Sequence, residues 1–108
     1  MNRVVVTGIG LLTTLGTGSK TTWENLINLK SGITKISHFD VSDLPCKIAG
    51  YLSNIESDKN YFDIYKFLEQ KDVKRNDRFI QYGLVAAKMA IEDSGILSIS
   101  DEDKINTG

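Results

Sequence analysis

The stretch "VVVTGIGLLTTLGTGSKTTW", Val4 to Trp23, decides the fold, because valines leading into spaced glycines and then Ser19-Lys20-Thr21 resemble the start of a phosphate-holding loop. A Walker loop needs Gly, four residues, then Gly-Lys-Ser/Thr. Lys20-Thr21 supplies the end, but Ser19 and Thr14 stand where the two glycines belong. The dinucleotide fingerprint needs a third glycine at Thr13, where helix and strand must nearly touch. A short-chain dehydrogenase start, suggested by Val6-Thr7-Gly8, needs glycines at Leu12 and Thr14. It also needs Tyr-x-x-x-Lys, whereas Ile55, Tyr65, Glu69 and Ala86 follow the four tyrosines at that spacing. Three phosphate templates fail at the positions that bind. The glycines therefore read as structural, permitting a bulged or sharply bent strand.

Outward from this stretch, Arg3–Thr7 predicts a strand covered on both faces, since β-branched residues run on without polar alternation. Thr21 and Glu24 have capping-box spacing for a helix through Trp23, Leu26, Ile27 and Lys30, stopped at Ser31-Gly32. Ile33–Gly50 predicts an irregular connection, with a short strand over Lys47–Leu52, and Tyr61–Leu68 a short helix. The strongest helical pattern begins near Arg78 behind Asn76 or Asp77 and ends at Ser94-Gly95. Arg78, Gln81, Lys88 and Glu92 form its narrow polar stripe. The rest is apolar or small, which predicts a mostly buried helix whose Gly83, Ala86, Ala87 and Ala90 admit a second backbone. Lys104–Asn106 reads as a strand just starting. The order suggests the opening of a βαβα layered α/β fold with too few strands for its own sheet, an incomplete piece.

The totals limit the function classes. A length of 108 residues suits one modest domain, and 13 basic against 14 acidic side chains leave a net charge of −1. That balance gives no general attraction to nucleic acid or to anionic membrane, and no apolar run approaches a membrane span. Cys46 is the one cysteine and His38 the one histidine, which excludes an internal disulfide and a His/Cys zinc site and suits a reducing cytoplasm.

Four blocks carry a resemblance: "RVVVTGIGLLTTLG" from Arg3, "TTWENLINLKSGIT" from Thr21, "HFDVSDLPCKIAG" from His38 and "DRFIQYGLVAAKMAIEDSG" from Asp77. In this order and over essentially the whole chain, they resemble the N-terminal region of the β-ketoacyl-acyl-carrier-protein synthase II family, the elongating condensing enzymes of bacterial type II fatty-acid synthesis. Tyr61–Gln70 departs from the family pattern, and Arg78 stands where the family often has a small residue. The resemblance implies a partial thiolase-like fold: residues 1–108 would be the first strand and helices of the N-terminal half of a five-layer α-β-α-β-α enzyme. It also implies a cytoplasmic homodimeric acyltransferase with no metal or nucleotide cofactor, whose partner is acyl carrier protein. Its reactive cysteine and two histidines would lie in family segments beyond Gly108, so the 108 residues alone are expected to be inactive.

Neither Cys46 nor His38 matches the family's catalytic motifs; they read as a semi-buried small apolar residue and a loop histidine. Lys71, Lys74, Arg75 and Arg78 are spaced i, i+3, i+4, i+7 and would share one face of a continuous helix. By the resemblance, Lys71, Lys74 and Arg75 match a basic cluster that docks the acidic carrier. The alternatives are a nucleotide-dependent oxidoreductase using the Gly8 region, and a non-catalytic carrier-binding module.

Overall fold

Two small two-stranded antiparallel sheets and a set of mostly short helices make up the described residues. The computed structural model describes residues 3–105 and 107. β1 (Leu12–Thr13) pairs with β2 (Gly16–Thr17), Leu12 opposite Thr17, and β3 (Thr34–Lys35) pairs with β4 (Ile48–Ala49), Thr34 opposite Ala49. α1 (Ser19–Ile27) follows β2; a 3-10 turn (Ile64–Lys66) precedes α2 (Gln70–Arg75), and the 17-residue α3 (Arg78–Ser94) leads through a second 3-10 turn (Ile96–Ser98) to α4 (Asp101–Ile105). The mixture of helices and small sheets is α/β in composition.

The Arg3–Thr7 strand does not form. These residues pair with no strand among the described residues, and Val4 and Val6 are 92% and 82% exposed rather than covered. A strand needs a ladder partner for its N–H and C=O groups, and none lies beside this one. What the glycines do is also different from a bulge. Gly8 and Gly10 lie flat against α3, where a Cβ on Gly10 would run into the Ala86 carbonyl and come within 2.6 Å of the Ala90 nitrogen. Ala86 and Ala90 are thus small residues that admit a second backbone, whereas a Cβ added at Gly83 would meet no other segment within 4 Å among the described residues.

The N-terminal helix starts earlier than its capping box suggests. Gly18, at φ 89°, turns the chain in a conformation open to glycine, so the helix begins at Ser19 with no side-chain cap. Thr21 lies inside it. The hydroxyl of Thr22 bonds across to the hairpin instead, donating to the Gly16 carbonyl at 3.2 Å and lying 3.1 Å from the Thr13 hydroxyl. The helix also ends earlier, at Ile27: Asn28 donates to the Glu24 carbonyl at 2.7 Å, and Leu29 turns left-handed at φ 55°. Lys30 and Gly32 lie beyond it.

Within Ile33–Gly50 the chain is less irregular than expected, because Thr34–Lys35 finds the strand that Lys47–Leu52 was expected to provide, with Ile36 N–H donating to the Lys47 carbonyl at 2.9 Å. Tyr61–Leu68 supports one 3-10 turn rather than a helix, capped by Asp63, whose carboxylate accepts from the Tyr65 N–H at 3.0 Å. The strand expected over Lys104–Asn106 is replaced by α4; Asn106 lies outside the described residues. Ser100 and Asp103 explain the change. They form a reciprocal cap, Ser100 Oγ accepting from the Asp103 N–H at 3.2 Å and donating to its carboxylate at 2.7 Å, with three acids favoured at the helix N-terminus.

The core is small. Val41, Phe62 and Val85 are its buried apolar side chains among the described residues. α3 is not mostly buried: Val85 is fully enclosed, but Phe79 is 73% exposed, and Ile80, Leu84 and Ile91 are also exposed. The radius of gyration is 17.3 Å, against about 13 Å for a compact chain of this length. Large apolar faces on α1, α3 and the N-terminal segment therefore stand without a partner among the described residues.

Candidate functional site

The basic segment is held between the first 3-10 turn and α3. Phe62 joins the chain on either side of it, stacking on Phe67 at 5.6 Å and meeting Tyr82 of α3 edge-on at 6.3 Å. Two members of the polar stripe of α3 bond to this region. Lys88 donates to the Phe67 carbonyl at 3.3 Å, and the Gln81 carboxamide donates to the carbonyls of Val73 at 2.9 Å and Asn76 at 2.8 Å.

Lys71, Lys74 and Arg75 all lie on α2 and are exposed. Arg78 does not join their face. Asn76 is extended (φ −117°, ψ 143°) and ends α2, and Asp77, also extended, opens a new helix. The i+7 spacing therefore crosses a break in direction. Arg78 instead borders a cleft of about 190 Å³ shared with Ser53, Asn54, Phe62, Val73 and Tyr82. Burial raises the Tyr82 phenol above its usual range, and the Arg78 charge and hydrogen bond oppose the shift.

The three cations of α2 are not equivalent. Lys71 pairs with Glu69 at 2.9 Å, and the hydrogen bond and charge of Glu69, with Asp72 adding to them, raise its pKa. Lys74 and Arg75 make no ion pair among the described residues. They sit in the last turn, where the helix dipole favours positive charge. Sequence reasoning placed these cations but missed Gln81 as the group that secures their helix. The available signal was a carboxamide one turn into an apolar helix, directly after a short polar one.

Cys46 is exposed, not semi-buried, because its loop carries it outward; its thiol donates to the Ile48 carbonyl at 3.3 Å. His38 packs on Phe39 and Tyr51, with ring centroids 4.8 Å and 4.5 Å away, as a loop residue. Among the described residues no group of three or more His, Cys, Asp or Glu side chains is placed to hold a metal, and no helix is long and apolar enough to cross a membrane.

The family profile described as "Beta-ketoacyl synthase, N-terminal domain" matches residues 1–108. The chain belongs to the β-ketoacyl synthase family. Proteins named 3-oxoacyl-[acyl-carrier-protein] synthase 2 are similar to it. The Rhizobium meliloti (strain 1021) protein is 38% identical over 108 residues, all of this chain and 26% of the relative. The Vibrio harveyi protein is 37% identical over 106 residues, 98% of this chain and 24% of the relative. The Staphylococcus aureus (strain N315) protein is 40% identical over 99 residues, 92% of this chain and 22% of the relative. The chain thus spans about a quarter of the length of the β-ketoacyl synthases it matches.

Proposed function

We propose that these residues are the opening, incomplete part of the N-terminal domain of a thiolase-like condensing enzyme that elongates fatty acids on acyl carrier protein. The match of the family profile to every residue of the chain carries this reading. The unpartnered apolar faces of α1, α3 and Arg3–Gly10 support it, since a larger enzyme would cover them.

The reaction proposed for the whole enzyme is a decarboxylative Claisen condensation. A cysteine thiolate takes the acyl group from one carrier thioester, and the malonyl group on a second carrier loses CO2. The resulting carbanion attacks the acyl-cysteine carbonyl, a C–C bond forms, and the thiolate leaves. Such a step needs a depressed thiol pKa and donors for the developing oxyanion. The proposal gives Cys46 and His38 no part in this step: Cys46 is an exposed loop thiol, and His38 packs on the rings of Phe39 and Tyr51. The part proposed for this chain is recognition. Lys71, Lys74 and Arg75 of α2 receive the acidic surface of the carrier, steering it by charge.

Mixing the isolated 108-residue chain with acyl- and malonyl-carrier protein tests the division of labour. No 3-oxoacyl product above background is expected, and steady formation of product would overturn it.

A further inference from the structure

We infer that Gln81 is the positioning residue for carrier recognition, its carboxamide fixing the angle at which α2 presents Lys74 and Arg75. This rests on the docking role proposed for α2.

α2 has six residues, none of them buried, and a helix so short does not persist by its own hydrogen bonds. Its last carbonyls have no intrahelical partners and need donors from elsewhere. Asn76 meets one locally, donating to the Asp72 carbonyl at 2.8 Å. Gln81 reaches in from α3 and donates to the Val73 and Asn76 carbonyls at 2.9 and 2.8 Å. Among the described residues these are the only hydrogen bonds that join α2 and its end to another helix. Val73 and Asn76 bracket Lys74 and Arg75 in the chain, so the clamp fixes the backbone on both sides of two cations that make no ion pair among the described residues. A carboxamide has two N–H groups, and both are used here. Gln81 carries no charge, so whatever it does for a charged partner it does through α2.

The test measures affinity for acyl carrier protein in the full chain by fluorescence anisotropy, for Gln81→Met, for Lys74→Ala with Arg75→Ala, and for the triple variant. Gln81→Met keeps the length and removes both donors. It is expected to weaken binding about three- to tenfold, the scale of one or two lost hydrogen bonds. In the triple variant, Gln81→Met should cost less than twofold, because its effect passes through the absent cations. A loss equally large in the triple variant would make Gln81 a general stabiliser and overturn the inference. Weakening by Lys74→Ala with Arg75→Ala but not by Gln81→Met would overturn Gln81 and leave the docking reading standing. No weakening by either would overturn the docking reading, and Gln81 with it. A variant-free measurement covers a Gln81→Met protein that does not fold. Titrating carrier into the unaltered 15N-labelled protein should shift the Gln81 carboxamide resonances together with the α2 amides, and unmoved carboxamide signals would overturn the inference.

Discussion

The backbone N–H of Ile9 donates to the carboxylate of Asp93 at 2.9 Å, joining the start of the chain to the far end of α3 across 84 residues. It lies between the two glycines that rest on the same helix, so one acidic side chain marks where the N-terminal segment docks. Asp93→Ala should lower stability by about 1 kcal/mol, the usual net value of a hydrogen bond, since this one is solvent-exposed. Hydrogen exchange gives the sharper reading. The Ile9 amide should lose its protection, while amides in the middle of α3 keep theirs; unchanged exchange at Ile9 would remove Asp93 from the docking of this segment.

Gly10 and Gly83 should respond to alanine with opposite signs. A methyl group on Gly10 meets the Ala86 carbonyl and the Ala90 nitrogen, both part of a rigid helix backbone, so Gly10→Ala should cost about 1–3 kcal/mol through overpacking. Gly83 lies inside α3 with nothing within 4 Å of the added carbon, so Gly83→Ala should stabilise by about 0.5–1 kcal/mol through helix propensity. Urea denaturation of the two variants checks the pair. Stabilisation by Gly10→Ala would mean that the segment does not rest on α3.

The same segment shows what a sequence can and cannot convey. The extent of α3, from near Arg78 to Ser94 with Gly95 left-handed behind it, was legible because a long periodic pattern and its terminal glycine are local features. Gly83, Ala86, Ala87 and Ala90 were legible as a small-residue group, but not that Ala86 and Ala90 would meet the second backbone while Gly83 stays open. The state of Arg3–Thr7 was not. Valine-rich composition marks a segment that suits a sheet, but a strand exists only where a neighbour supplies the ladder, and no local residue reports on that. At the basic segment, spacing alone gave a face of four cations on one helix, and it was the resemblance that singled out Lys71, Lys74 and Arg75. Arg78 was misplaced because a break of two extended residues, Asn76 and Asp77, looks like helix caps and helix interior alike. Gln81 was seen only as part of the polar stripe, and its bonding role was hidden because its partners are backbone carbonyls, which every residue has.

Acid should loosen the loop that closes on β3. The Asp58 carboxylate accepts from the Asn60 N–H at 2.9 Å, from Ser37 at 2.9 Å and from Tyr51 at 3.2 Å. Chiefly through the Asn60 backbone bond, its pKa lies below the ordinary carboxylate value; desolvation, the next largest effect, opposes this, and the Ser37, Tyr51 and Ser53 bonds add to the lowering. A depressed folded pKa means that the contribution is complete above the unfolded value of about 3.9 and is lost as pH falls through the lower folded one. Asp58→Asn should therefore destabilise the protein at neutral pH and show a shallower further loss below pH 4. Thermal melts of both proteins from pH 7 to pH 3 test this, and parallel curves would exclude Asp58 as a source of the acid sensitivity.

The cations of α2 should contribute to carrier binding in a graded order. Lys71 already faces Glu69 at 2.9 Å, so a carrier must compete with an existing partner there, whereas Lys74 and Arg75 are exposed without one among the described residues. Lys74→Ala and Arg75→Ala should each weaken carrier binding about two- to fivefold, the range of exposed charge pairs, and Lys71→Ala by less. Reversing both to Glu should act mainly on the association rate, because charges at an interface rim steer encounter more than they hold the complex. Salt provides the control. The gap between the unaltered protein and the double reversal should narrow as ionic strength rises from about 0.05 to 0.5 M and the screening length shrinks below the separation of the two surfaces. A gap that persists undiminished in high salt would point to altered packing of α2. Equal losses from Lys71→Ala and Lys74→Ala would show that the Glu69 pair yields to the carrier at no cost, and the order argued from the geometry would fail.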